Sequence, residues 1–427
     1  MTQTSSRPRV AVIGGGISGL TAAHVLQRTH DVVVWEAADR LGGHADTHDV
    51  RLADGSVIPV DTGFIVHNDR TYPVLGMLFR ELDVPVTDTE MSMSISCGGC
   101  GLSYVGGRGA KGIFAQRRRI ADPRFLRMLA EVPRFHKAAR QLLADEQEGD
   151  DDSMTLVEFL REHDFSDYFV QHFAIPLVSC VWSSGHGDAL TYPARHLFTF
   201  LAHHGMLSVK GSPTWRTVVG GSRVYVDKVA AGLADVRLSS PVASVARHED
   251  GVELTTHDGR VEHFDQVVLA THADIAAAIL VDATPEEKEA LVAFDYSQNP
   301  TTLHTDSSLL PTRAARGSWN FAMDGCDTSS DRVRVSYWMN RLHGYDVRED
   351  LVVTLNAEQD VAPERVLDRM DYAHPVFTPE TVRAAAYLRE AGGTRLAFAG
   401  AHLGWGFHED GARSGLQAAQ RLGGDWS

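Results

Sequence analysis

With 427 residues, 43% of them hydrophobic, 22% charged and only 4 cysteines, the chain has the make-up of a globular protein of two or three domains. That composition excludes a disordered, collagen-like or disulfide-framed chain, and a net charge of -16 excludes general nucleic-acid binding, which needs a basic surface. No apolar run approaches the ~20 residues that span a bilayer, and the polar stretch from Met1 to Arg9 has no leader-like core, so a cytoplasmic setting is expected.

Arg9-Val-Ala-Val-Ile13 reads as a short buried strand. Gly14-Gly-Gly16-Ile17-Ser18-Gly19 follows as a G-x-G-x-x-G turn, and Ser18 to Arg28 carries a helical pattern. Asp31-Val-Val-Val-Trp-Glu36 is a second strand, which closes a βαβ unit. In such a loop the first glycine permits the tight turn. The second lets the backbone approach a pyrophosphate, and the third lets helix and strand pack closely. The helix N-terminus offers free N–H groups to phosphate. Glu36, 20 residues after Gly16, is placed to accept hydrogen bonds from a ribose.

From Arg108 to Arg140 there are ten Lys/Arg against two acids, Asp122 and Glu131. A helix is expected over 119–144, kinked or split at Pro133. Its apolar stripe is Phe125, Met128, Leu129, Val132, Phe135, Ala139 and Leu142. Such a helix could lie on an anionic membrane; equally, its stripe could be core. The run from Asp145 to Asp152, six acids in eight residues, reads as a linker or surface loop. Helices follow at 155–163 and 284–293, and strands at 301–305, 332–338 and 351–356. A meander is expected at Val242–Arg247, Val252–Thr256 and Val261–Phe264, with Asp250-Gly251 and Asp258-Gly259 as its turns. Gln266 to Ala270 and Arg395 to Ala399 are further strands, and Gly411 to Arg421 is a helix.

The signature continues as Glu36-Ala37-Ala-Asp-Arg40-Leu-Gly42-Gly43, and here the chain resembles the flavin amine oxidoreductase superfamily of monoamine oxidases, protoporphyrinogen oxidase and phytoene desaturase-like enzymes. It departs at His44, where arginine is usual. Asp61-Thr-Gly63-Phe64, Val242, Ala270-Thr271, Phe398-Ala-Gly400, Asp410-Gly411-Ala412 and Ser414-Gly415 match later family motifs. A closer resemblance, to a bacterial branch associated with fatty-acid modification, rests on Val178-Ser-Cys-Val-Trp-Ser183, Tyr192-Pro-Ala-Arg195, His204-Gly-Met-Leu207, the run Trp215 to Gly221, and the run His402 to Asp410.

The resemblance implies an α/β fold. A Rossmann-like FAD-binding domain (1–95, 210–275 and 390–427) would carry a discontinuous α+β substrate domain (96–209 and 276–389). It implies FAD held by Gly14, Gly16, Ile17, Ser18, Gly19, Glu36, Ala37, Arg40, Gly42, Gly43, His44, Gly63, Phe64, Val242, Thr271, Gly400, Asp410, Gly411 and Ala412. The loop from Gly400 to Gly411 has no cysteine, so the FAD should be non-covalent. Trp405, Phe407 and His408 compete for the aromatic that flanks the flavin.

The expected reaction is hydride removal from a hydrophobic substrate, foremost an unsaturated fatty acyl chain, whose allylic C–H is activated. His402 and His408 are candidates for proton transfer, with packing as the bland reading of both. An amine oxidase making imine and peroxide is the alternative; it would show an aromatic cage around the amine and a lysine near the flavin, for which Lys210 is the candidate. A membrane-peripheral accessory flavoprotein at the inner face of the membrane is the third reading. No metal site is expected. Cys97-Gly-Gly-Cys100 lacks a second pair, with Cys180 and Cys326 far away in sequence, and His44-Ala-Asp-Thr-His48 sits beside the cofactor turn.

Overall fold

A computed structural model describes residues 7–145, 154–182, 186–208, 211–326 and 334–426. Most of the acidic run expected as a loop, together with Ser183 and Lys210, lies outside the described residues. Among the described residues no helix is long and apolar enough to cross a membrane.

Five strands form a parallel sheet in the order Asp235–Arg237, Asp31–Trp35, Arg9–Ile13, Gln266–Leu269, Leu396–Phe398. The β-branched runs of the three central strands are buried on both faces, as a parallel sheet covered on both sides requires. Val10, Val12, Val32 and Val34 point to one face, against helices α1 (Ile17–Leu26) and α4 (His408–Arg421). Ala11, Ile13, Val33 and Trp35 alternate to the other, against the antiparallel meander Val242–Arg247, Val252–Thr256, Val261–Phe264. Helices α1 and α4 lie close because glycines face α1. A Cβ on Gly415 would sit 2.2 Å from the Ser18 carbonyl oxygen, and one on Gly411 would sit 2.6 Å from Ile17 Cγ2.

A seven-stranded mixed sheet runs Val366–Pro375, Tyr296–His304, Val352–Leu355, Arg334–Trp338, Trp319–Met323, Met93–Cys97, Leu102–Gly106. Met93–Cys97 spans the boundary drawn at residue 95 and pairs parallel to Trp319–Met323. Two helices flank the site. Helix α2 spans Pro73–Glu81, and α3 spans Pro123–Ala144. Asp122 caps α3 by accepting from the backbone of Arg124 and Phe125.

Two expectations are corrected here. Helix α3 runs as one 22-residue element, so it is not split at Pro133. Of the two readings of its stripe, the core reading holds: Phe125, Met128, Phe135 and Ala139 are buried in a core shared with the helices Leu156–Glu162, Ile175–Trp182 and Ala194–His203. The C-terminal helix also begins earlier than expected, at His408 instead of Gly411.

Candidate active site

The glycine turn leaves strand Arg9–Ile13 and enters α1 with each glycine in a different mechanical role. Gly14 has φ +104, and a Cβ there would lie 2.5 Å from the Ala270 carbonyl oxygen. A Cβ on Gly19 would lie 1.9 Å from the Gly14 carbonyl oxygen, so Gly19 closes the turn against the helix. Gly16 has ordinary extended torsions, φ -74 and ψ 179, and no atom within 4 Å of where a Cβ would stand. It is the open face of the loop. No side chain caps α1, which leaves its first N–H groups for a ligand. The Glu36 carboxylate accepts from Gly15 N–H at 2.6 Å and Ala38 N–H at 2.8 Å, which locks the loop to the strand end.

These residues open onto a cavity of about 1540 Å³. Of the predicted cofactor residues, Gly14, Gly16, Ile17, Ser18, Glu36, Ala37, Gly42, Gly43, His44, Gly63, Phe64, Val242, Thr271 and Gly400 line it, together with both candidate histidines, His402 and His408. Gly19, Arg40, Asp410, Gly411 and Ala412 stand behind the wall and shape it. Arg40 donates to the carbonyls of Leu41, Gly43 and Ala45 and pairs with Asp46 at 2.8 Å, so it folds the turn that carries Gly42 and Gly43. Asp410 accepts from Phe407 N–H at 3.0 Å and pairs with Arg413 at the start of α4. Burial raises its carboxyl to about 6. Ala412 is buried, and Gly411 faces Ile17.

His408 stacks on Phe64, with ring centroids 3.9 Å apart and planes 6° from parallel, and its Nε2 is 2.6 Å from the Tyr225 hydroxyl. His402 meets Phe294 edge-on at 5.0 Å. Burial drops both imidazoles to about 3, so both are neutral at pH 7. Of the three aromatics that compete to flank the flavin, Phe407 and His408 reach the cavity. Trp405 donates to the His196 carbonyl instead.

Sequence reasoning missed a second aromatic group. His44 lies 5.0 Å from the Tyr372 ring and 5.3 Å from His374, and His272 stacks on Tyr296 at 4.3 Å; all five line the cavity. His272 directly follows the Ala270-Thr271 motif and could have been flagged. Tyr372 and His374 arrive from the far edge of the other sheet with no local signal.

The wall fits a dinucleotide with an aromatic head group. It combines an uncapped helix end, the open face of Gly16, and two buried polar atoms with no protein partner among the described residues, His44 Nε2 and Trp35 Nε1.

Residues 17–305 match the sequence family described as flavin containing amine oxidoreductase. The chain is 25% identical to polyamine oxidase 4 of Oryza sativa subsp. japonica, over 72% of its own length and 61% of that relative's. It therefore spans less than two thirds of this curated relative. Among solved structures it is similar to cyclohexylamine oxidase from Brevibacterium oxydans, with TM-score 0.69 at 17% identity over 97% of this chain and 98% of that one. It is equally similar to a CLA-producing fatty acid isomerase from P. acnes, with TM-score 0.69 at 16% identity over 97% and 99%. At these identities the structural likenesses show the fold. The family match runs from the first residue of the glycine-loop helix to just beyond the strand Tyr296–His304 of the second sheet, and on that extent the chain is a member of the flavin containing amine oxidoreductase family.

Proposed function

We propose that the protein uses FAD to oxidise an uncharged, elongated hydrophobic substrate, an unsaturated fatty acyl chain, by loss of an allylic hydrogen. The stretches 1–95, 210–275 and 390–427 would hold the cofactor, and 96–209 with 276–389 the substrate. The observation that carries this reading is the charge of the cavity wall. Among the described lining residues there is no Lys, Arg or Asp, and the only acids are Glu36 and Glu90. Glu36 is committed to the glycine loop. Glu90 is paired with Arg108 at 3.1 Å and Arg341 at 3.5 Å, and it accepts from the Ser92 hydroxyl. A substrate ammonium would find no free carboxylate, whereas Met93, Ile95, Met128, Leu129, Val132 and Phe173 offer an apolar channel.

Bound FAD supplies the acceptor for a hydride. The chain's own residues do the rest. The apolar wall orients the acyl chain and excludes water. His402 and His408 line the cavity as the candidates to relay the second proton outward, burial opposing its retention on either imidazole, and Tyr225 holds the His408 ring in place. The fatty acid isomerase named among the structural neighbours suggests a second outcome of the same first step, in which the hydride returns to another carbon of the chain.

For substrate delivery we assign the outer face of 108–140. Ile120 and Leu126 are 57% and 41% exposed there, beside Arg117, Arg118 and Arg127, and would touch an anionic bilayer. Replacing Arg117 and Arg127 with alanine should reduce sedimentation with anionic liposomes at low salt. Unchanged sedimentation refutes this delivery route.

The decisive experiment for the chemistry is anaerobic titration of the yellow protein with unsaturated phospholipid or fatty acid. Bleaching supports the acyl reading, and conjugated product without net bleaching supports isomerisation. Bleaching by amines alone overturns both in favour of an amine oxidase. Colour unchanged by any donor would point to an accessory flavoprotein.

A further inference from the structure

Away from the cavity, the fold gathers Cys97, Cys100, His172 and Cys326, whose ligand atoms all lie within 4.8 Å of one another. Cys97 Sγ is 3.7 Å from Cys326 Sγ, and Cys100 Sγ is 3.6 Å from His172 Nε2. With Zn–S near 2.3 Å and Zn–N near 2.0 Å, a tetrahedral zinc site has S···S edges of about 3.8 Å and S···N edges of about 3.6 Å. We propose that these four residues form a structural Cys₃His zinc site, independent of the reading of the flavin cavity. The expectation of no metal site counted ligands along the sequence. The third and fourth come from positions 172 and 326.

The local structure explains how they meet. Cys97 ends its strand opposite Met323, and Gly98 N–H donates to the Met323 carbonyl at 2.8 Å. The neighbouring chain can then bring Cys326 alongside only because residues 98 and 99 are glycines. A Cβ on Gly98 would lie 2.7 Å from the Asp324 carbonyl oxygen, and one on Gly99 would lie 2.8 Å from Cys326 N. His172 sits in a π-helical turn, Val170–Ala174, a distortion that re-aims a side chain. Its Nδ1 donates to the Tyr168 carbonyl at 3.1 Å, which fixes the tautomer and leaves the Nε2 lone pair toward Cys100. Arg119, itself buried, donates to the Cys100 carbonyl at 2.7 Å, and Arg118 donates to the Gly101 carbonyl at 3.2 Å. Two members of the arginine triplet therefore hold the Cys97–Cys100 turn in place.

Binding requires no redox partner. Three thiols each release a proton to solvent, and the three thiolates with one neutral imidazole coordinate the ion. Four protein ligands leave no open position, so the ion would act as a clip. It would pin the hairpin, the end of strand Trp319–Met323 and the π-turn, whose neighbours Ile95, Tyr104 and Phe173 line the cavity.

The test is elemental analysis of the full-length flavoprotein, purified without chelator, with zinc K-edge absorption spectroscopy on the same sample. One zinc per chain with three sulfur neighbours and one nitrogen is expected. Cys100→Ser and Cys326→Ser should lose the zinc, while Cys180→Ala, outside the cluster, should keep it. A normal flavin spectrum in Cys326→Ser, whose side chain is on the surface, separates metal loss from misfolding. The proposal is overturned if wild-type protein carries no zinc as purified and takes up none on dialysis against zinc sulfate. It is equally overturned by zinc that survives both cysteine substitutions, or by a Cys97–Cys326 disulfide in protein prepared under reducing conditions.

Discussion

Gly16 and Gly19 belong to one hexapeptide yet answer to different forces. Gly16 sits in extended torsions that any residue adopts, with open space where a side chain would go. Gly16→Val should therefore fold, with a thermal midpoint close to that of the apo wild type, while the valine fills the space of the pyrophosphate. Colourless, folded protein is the expected result; yellow protein would refute the assignment of this loop to the cofactor. Gly19 has no such freedom, because a Cβ would overlap the Gly14 carbonyl oxygen at 1.9 Å, and backbone at both ends cannot move aside. Gly19→Ala should cost ~3 kcal/mol, at the upper end of overpacked cores, and reduce soluble yield whether or not riboflavin is supplied. The pair separates a residue that makes room for a ligand from one that makes room for its own fold.

At the scale of the element, the N-terminus of α4 ties distant parts of the chain together. The Glu409 carboxylate accepts from Val74 N–H and Leu75 N–H, both at 3.0 Å, so a residue of the last helix caps α2. Glu409→Ala should remove ~1–2 kcal/mol, the usual loss for a cap, seen as a lower midpoint in chemical denaturation with an unchanged slope. An unaltered midpoint would mean the contact carries no stability. This cap also shows where sequence reading stops. Four strands of the parallel sheet were legible as apolar runs beside turns, and the loop from Gly14 to Gly19 sits inside one such unit; the fifth, Asp235–Arg237, is too short to carry a pattern. Partners 335 residues apart leave no local trace. The same holds for Tyr372 and His374, which reach His44 from another sheet, and for Asp410 and Gly411, legible as a motif but not as the packing residues they are. The stripe of α3 was visible, yet periodicity alone does not say whether a stripe meets lipid or the protein's own core.

Over the whole molecule, buried neutral histidine is the recurring electrostatic feature. Burial drops His402 and His408 to about 3, and His67, His136, His196, His204, His304 and His374 to about 4, all from an ordinary value of 6.5. Each is a base held below its unfolded value. Its contribution is fully present above pH 6.5 and is lost as pH falls toward 4, because only the unfolded chain takes up the proton. Burial acts in the opposite sense on two acids, raising Glu409 to about 7 and Asp410 to about 6. Their contribution is present below pH 4 and is lost as pH rises through 6 to 7. Eight bases outweigh two acids, so stability should fall steeply between pH 6.5 and pH 5. Each proton of difference is worth about 1.4 kcal/mol per pH unit. The measurement is the denaturant midpoint from pH 8 to pH 5, with flavin fluorescence followed on the same samples. Five of these histidines, His136, His204, His374, His402 and His408, line the cavity, so acid unfolding and loss of the cofactor should coincide. A midpoint that stays level to pH 5, or flavin released well before the chain unfolds, would show that water reaches these imidazoles and that the cavity wall is looser than its packing implies.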